Sequence, residues 1–217
     1  MKIKFLLIGE GTSDLRLVNH IETIFIEEGF DEVSGEAPDL SLFNPPVGRD
    51  ISSKLKCLIK NFPEFDVIFI HRDADGGTID ARIQEIEDAI TDLLPIENII
   101  PVIPVTMLET WLLADIETIK TIAGNKKFRA PIPNLPPPNR LESVRNTKDL
   151  LLEILCIISE TQGARLQKFK KRFPEMRARL TYELDTNGNI NDLPSYRTFR
   201  EKIHQLSSTK LNRNGNF

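Results

Sequence analysis

The feature that most constrains this chain is the stretch Ile68-Phe69-Ile70-His71-Arg72-Asp73-Ala74-Asp75-Gly76-Gly77. An apolar run, preceded by the polar Glu64 and Asp66, ends abruptly in two aspartates one residue apart, and two glycines follow before a helical pattern begins. Such a run reads as a buried strand, and here it delivers two carboxylates to the edge of a sheet. In open α/β sheets ligands bind at the carboxyl ends of the strands. Asp-x-Asp suits a hard cation such as Mg²⁺, which takes oxygen ligands and keeps waters and substrate phosphates in its shell. Taken alone, the pattern is at least as often a solvated turn, because Asp and Gly both favour turn geometry. A second acidic site in an equivalent position gives it weight.

That second site follows the first apolar run, Ile3–Ile8. Gly9-Glu10-Gly11-Thr12-Ser13-Asp14 turns the run into a helix, with Thr12 or Ser13 as cap and Asp14 favourably placed in the first turn. Leu15, Val18, Ile21, Ile24 and Phe25 recur at helical spacing, and Gly29 ends the helix. Gly-x-Gly invites a dinucleotide-binding reading, but Asp14 stands where the third glycine belongs, and Glu10 repels a pyrophosphate. Glu10 and the Asp73/Asp75 pair each close an apolar strand and are each followed by Gly and a helix. If those strands are neighbours in a parallel sheet, the acids converge, and each raises the others' pKa unless a cation neutralises them. Metal binding is the simplest reason to keep them together. Asp14, read as one turn beyond Glu10 on the same helix face, joins the set.

The remaining pattern supports an α/β fold with a mostly parallel sheet flanked by helices and a helical C-terminal region. A short strand is expected around Asp39–Phe43, then a helix capped by Asp50 or Ser52 that runs to Asn61. The strand Val67–His71 leads to a helix capped by Thr78. Ile99–Val105 is a third apolar run, and Pro101 and Pro104 mark it as an edge or irregular strand. A short apolar helix at Met107–Asp115 follows. Alternating strands and helices argue for βαβ units. Residues 1–115 therefore form the expected acid-bearing domain. Residues 116–141 are a linker that contains Pro131, Pro133, Pro136, Pro137 and Pro138, and 142–217 form a basic helical region. Its helices are expected at Thr147–Ser159, Gly163–Phe173, Pro174–Leu184 and Tyr196–Leu206, with Ser207–Phe217 as a frayed tail.

Charge divides along the same line. Met1–Asp115 holds roughly 9 basic and 22 acidic residues, the remainder roughly 19 and 10. An acidic half fits a cation site, and a basic half fits a polyanion or an acidic partner. Arg165, Lys168, Lys171 and Arg172 are the candidate nucleic-acid contacts, although such a run is most often a solvated helix face. With 40% hydrophobic and 28% charged residues the chain belongs to the globular class. Cys57 and Cys156 lie far apart in apolar helical patterns, which reads as reduced, buried thiols in a reducing compartment, the cytoplasm. No run is long enough to span a membrane.

The Glu-Gly motif after strand one and the Asp-x-Asp motif after a later strand resemble those of the TOPRIM domain, shared by topoisomerases, primases, small RNA-maturing nucleases and OLD-type nucleases. The spacing Glu-Gly-x-x-Asp, Glu10 to Asp14, is similar to the OLD-type branch. The run Ile103–Asp115 is similar to a segment of an uncharacterised TOPRIM-like family that occurs beside ATPases in bacterial phage-defence loci. The resemblance implies that Glu10 is a metal ligand or general acid/base and that Asp73 and Asp75 hold Mg²⁺ or Mn²⁺, with Glu109 as a further acid. It implies a Mg²⁺-dependent nuclease acting on DNA or RNA with an ATPase partner. The alternative it leaves open is a non-catalytic module that docks on that ATPase. His71 reads as a structural histidine, Arg72 as an ion-pair partner of the acids and Trp111 as core. Glu109 reads equally well as a solvent-facing residue of an amphipathic helix.

Overall fold

The computed structural model describes residues 1–214. Its central sheet has four strands, all parallel, in the order β2-β1-β3-β4. β1 is Lys2–Ile8, β2 Glu32–Glu36, β3 Val67–His71 and β4 Ile99–Val102. β1 and β3 are the interior strands and carry the most continuous apolar runs, as a sheet covered on both faces requires. Ile8 pairs with Ile70, so the chain leaves these two neighbours at the same carboxyl edge. β4, with Pro101 inside it, is an edge strand, where a missing N–H costs least.

Alternation along the strands sorts side chains onto two faces. Leu6, Ile8, Ile68, Ile70 and Ile99 pack beneath helices α2 (Ile51–Asn61) and α3 (Ile79–Ile90). Asp50 caps α2 by accepting from Ser53 N at 2.8 Å, and Thr78 caps α3 by accepting from Ala81 N at 3.1 Å. Ile3, Phe5, Leu7, Val67, Phe69 and Val102 face α1 (Leu17–Glu27) and the helices of the second half. Those helices are α4 (Glu109–Leu112), α5 (Ile116–Ile122), α6 (Thr147–Ser159), α7 (Gly163–Lys171), α8 (Phe173–Tyr182) and α9 (Pro194–Asn214). One cluster of buried side chains runs from β1 through Phe128 and Leu141 of the proline-rich segment to Ile203 of α9.

Three stretches differ from expectation. The segment 116–141, expected as a linker, opens with helix α5 and buries Ile119, Phe128 and Leu141 in the core, because its apolar residues pack on the second-half helices despite the prolines. The strand expected at Asp39–Phe43 is instead β2, and Leu40–Leu42 forms a 3-10 turn capped by Asp39. As an edge strand, β2 alternates exposed and half-buried positions and has no apolar run to announce it. Gly35 in β2 is obligatory, because a Cβ there would lie 2.2 Å from the Phe5 ring and 2.6 Å from Val18 Cγ2. The last helix is also longer than expected. α9 spans 21 residues and includes 207–214, the larger part of the expected tail; 215–217 lie outside the described residues. Packing explains its length. Phe199 lies 6.2 Å from Phe69 and 5.5 Å from Trp111 between ring centroids, Ser207 is buried, and Lys210 reaches Asp66 at 2.9 Å.

Candidate functional site

Glu10 sits in the loop that leaves β1. The loop folds back so tightly that a Cβ on Gly9 would lie 3.0 Å from Gly11 O and 3.2 Å from Asp14 Cβ. The Glu10 carboxylate is thereby turned toward the end of β3: Oε1 accepts from Asp73 N at 3.3 Å and lies 2.5 Å from Arg72 Nη1. Glu10 is partly buried, and burial pushes its pKa up. Arg72 opposes that rise and the neighbouring Asp73 adds to it, leaving the group above its ordinary value.

Asp73 ties the site to the loop that enters α4. Its Oδ1 accepts from Leu108 N at 2.8 Å and lies 3.3 Å from His71 Nε2. Asp75 is half exposed, in a left-handed backbone conformation (φ 49°), and its carboxylate lies 4.0 Å from Arg82 Nη2. Arg72 spans Glu10 and Glu85, so its expected role as an ion-pair partner holds.

Asp14 is placed differently from the sequence reading. It does not continue a helix face begun by Glu10. Residues Asp14–Arg16 form a 3-10 turn ahead of α1, and Ser13 caps nothing. The Asp14 carboxylate folds back to accept from Gly11 N at 3.0 Å, which the loop's curvature demands. Its other oxygen meets Arg177 Nη1 at 2.9 Å, and Arg177 also bonds Ser13 Oγ. Arg177 Nε reaches Glu109 Oε1 at 2.6 Å. The side chains of Arg177, Asp14 and Glu109 are only 12%, 5% and 2% exposed, so this is a buried charge network, and the solvent-facing reading of Glu109 fails. His71 completes it. Fully buried, it stands 3.4 Å from Asp14 and 3.3 Å from Asp73, at ion-pair distances but off the hydrogen-bonding line. Burial lowers its pKa, but the two carboxylates outweigh burial and lift it to about 10. Burial likewise opposes ionisation of Asp14, yet His71 and Arg177 hold its carboxyl well below the usual carboxylate range.

Arg177 is the member of this network that the sequence does not single out, because it lies in the basic second half, where such residues are most often solvated. A signal was present. Phe173, Met176 and Leu180 form the buried stripe of α8, and Arg177 lies within it at helical spacing. The four basic residues expected to meet nucleic acid are all exposed on or beside α7. Arg165, Lys168 and Lys171 make no ion pair among the described residues, whereas Arg172 is paired to Glu175 at 3.1 Å.

Beside Glu10 opens a cleft of about 600 Å³, lined by residues between Ile8 and Arg72. Lys54 projects into it from α2 and donates to Gly9 O at 2.8 Å. Burial lowers the Lys54 pKa, and the Glu10 charge opposes that fall.

The donor chemistry suits a hard cation at Glu10, Asp73 and Asp75, which offer oxygens only. Among the described residues, Glu10 Oε2 and Asp73 Oδ2 accept no hydrogen bond. Asp14 and Glu109 do not fit such a set, since both are spent on Arg177. Among the described residues no group of three or more His, Cys, Asp or Glu side chains is arranged to hold an ion. Mg²⁺ is commonly held by one or two carboxylates and completes its shell with water and substrate oxygens, so an open pair is enough for it.

Fold and site together define an α/β protein with an all-parallel sheet and an ion-paired carboxylate cluster at its carboxyl edge. Compared with protein-family models, curated proteins and solved structures, the chain matches none. No helix among the described residues is long and apolar enough to cross a membrane, and Cys57 and Cys156 are free thiols.

Proposed function

We propose that this protein is a divalent-metal-dependent nuclease that hydrolyses phosphodiester bonds of DNA or RNA. The observation that carries the reading is the contact of the Glu10 carboxylate with the Asp73 amide, which joins two acidic motifs from neighbouring strand ends at the ligand-binding edge. Mg²⁺ or Mn²⁺ held by the open pair Glu10 and Asp73, with Asp75 nearby on the same loop, would supply Lewis acidity toward a phosphate oxygen and lower the pKa of a bound water. A water bound to the metal beside Glu10 would be the nucleophile, and the Glu10 carboxylate, at hydrogen-bond distance from the end of β3, is placed to orient it. Arg72 orients Glu10, and the Leu108 N–H orients Asp73. The exposed face of Arg165, Lys168 and Lys171 suits a phosphate backbone. The TOPRIM resemblance adds the setting: a cytoplasmic effector of anti-phage defence that works with an ATPase.

The test is cleavage of labelled single-stranded DNA, duplex DNA and RNA with Mg²⁺ or Mn²⁺. Cutting by the parent that is lost in Asp73→Asn supports the reading, and a parent that cuts none of the three overturns it. The second reading, a non-catalytic module docking on an ATPase, is favoured by the Arg177 network, which neutralises Asp14 and Glu109 without any metal. It requires no cleavage, and co-purification with an ATPase encoded nearby that survives Asp73→Asn.

A further inference from the structure

We infer that the cleft beside Glu10 is a phosphate subsite, in which Lys54 and Arg49 hold a phosphate of a nucleotide strand next to the bond to be cut. The subsite deepens the nuclease reading and rests on it only for its place beside the scissile bond. The cleft borders the Glu10 carboxylate, so whatever occupies it lies against the candidate reacting group. None of its lining comes from α7 or α8, so the basic face of the second half does not supply its charge.

Two cationic groups face this space with donors to spare. Lys54 uses one of its three N–H donors on Gly9 O. Arg49 is exposed and makes no ion pair among the described residues. Arg72 also borders the cleft, but its two terminal nitrogens are given to Glu10 and Glu85, so it adds charge to the rim rather than a free donor. The acids that share the lining do not cancel this. Asp39 is committed to Ser41 N and Oγ at the start of its 3-10 turn, and Glu10 faces Arg72. A tetrahedral oxyanion with several acceptor oxygens matches such a set of donors, and charge-assisted bonds to it are the strong kind. The volume of about 600 Å³ lies in the range of small-molecule and nucleotide pockets.

The experiment is calorimetric titration of the full chain in EDTA with a 5′-phosphorylated thymidine dinucleotide and, separately, inorganic phosphate. The parent is expected to bind the dinucleotide. Lys54→Met and Arg49→Gln should each weaken it about tenfold or more, as loss of a charge-assisted bond implies, and Lys54→Arg should restore most of it. Because Arg49 is exposed, its variant keeps the test valid if Lys54→Met does not fold. Tighter binding of the dinucleotide than of phosphate assigns the subsite to a strand, and equal binding assigns it to free phosphate and overturns the strand claim. A parent that binds neither probe, or variants that bind as the parent does, overturn the subsite itself. Cleavage assays separate the two ideas. If the parent cuts and Lys54→Met cuts with unchanged KM and kcat, the subsite is wrong and the nuclease stands. If the parent does not cut but binds the dinucleotide through Lys54, the nuclease is wrong and the subsite stands.

Discussion

Replacing Arg177 with methionine tests the energetic core of the site. The change keeps much of the side-chain volume and removes a buried cation shared by Asp14 and Glu109. Asp14 retains Gly11 N and the nearby His71, but Glu109 loses the one partner it has among the described residues. Breaking a buried ion pair by deleting one partner costs about 3–5 kcal/mol. For a chain of this size each kcal/mol shifts the melting temperature by about 2–4 °C, so Arg177→Met should melt about 6–20 °C below the parent at pH 8. The loss should shrink in acid. A carboxyl buried without a cation has its pKa raised, so the folded variant takes up a proton as pH falls toward about 5, and the uncompensated charge disappears. In the parent the Asp14 pKa is depressed on folding. Its contribution is therefore intact above the unfolded carboxylate pKa and lost only as pH falls below that. Glu109→Gln in the Arg177→Met background should recover at least half of the stability lost. Thermal and urea denaturation at pH 8 and pH 5 measure all of this. A deficit below about 1 kcal/mol at pH 8, the range of an exposed pair, would refute the buried network, as would an equal deficit at both pH values.

Three further outcomes are expected. His71, whose folded pKa is raised to about 10, contributes stability that is complete below its unfolded value and lost as pH climbs toward 10. The parent's melting temperature should thus fall between pH 7 and 10, and His71→Gln should flatten that fall. Asp73→Asn keeps an acceptor for Leu108 N but removes a charge beside His71, so it should be slightly less stable than the parent in EDTA and lose most of the Mg²⁺-induced thermal shift; equal shifts in both proteins would count against the metal. Replacing Lys168, Lys171 and Arg172 with glutamine should leave the melting temperature nearly unchanged and flatten the log K versus log salt slope for nucleic acid by up to about 3, by filter binding at two salt concentrations.

The two acidic motifs were legible because each follows an apolar run that can only be a buried strand, and a parallel pairing of those runs puts their ends on one edge. β3 and α6 fall on the residues their periodicity marks, Val67–His71 and Thr147–Ser159. The reading ran short where tertiary contact overrides local pattern. β2 has no alternation of strong hydrophobes, and the end of α9 is polar and held by the buried Ser207 and by Lys210 rather than by propensity. Asp14 and Glu109 were assigned to a shared ion because their cation, Arg177, comes from 163 and 68 residues away along the chain, a pairing no local pattern announces.

The same long closure sets an order in time. All four strands are complete by Val102, but the sheet face that carries Phe69 is finished only when Phe199 arrives, roughly a hundred residues later. At ribosomal rates of about 5–20 residues per second, that interval is about 5–20 s. Until then Phe69, already packed against Phe25 of α1, lacks its cover from Phe199, and Asp14 and Glu109 wait for Arg177, which is made before Phe199.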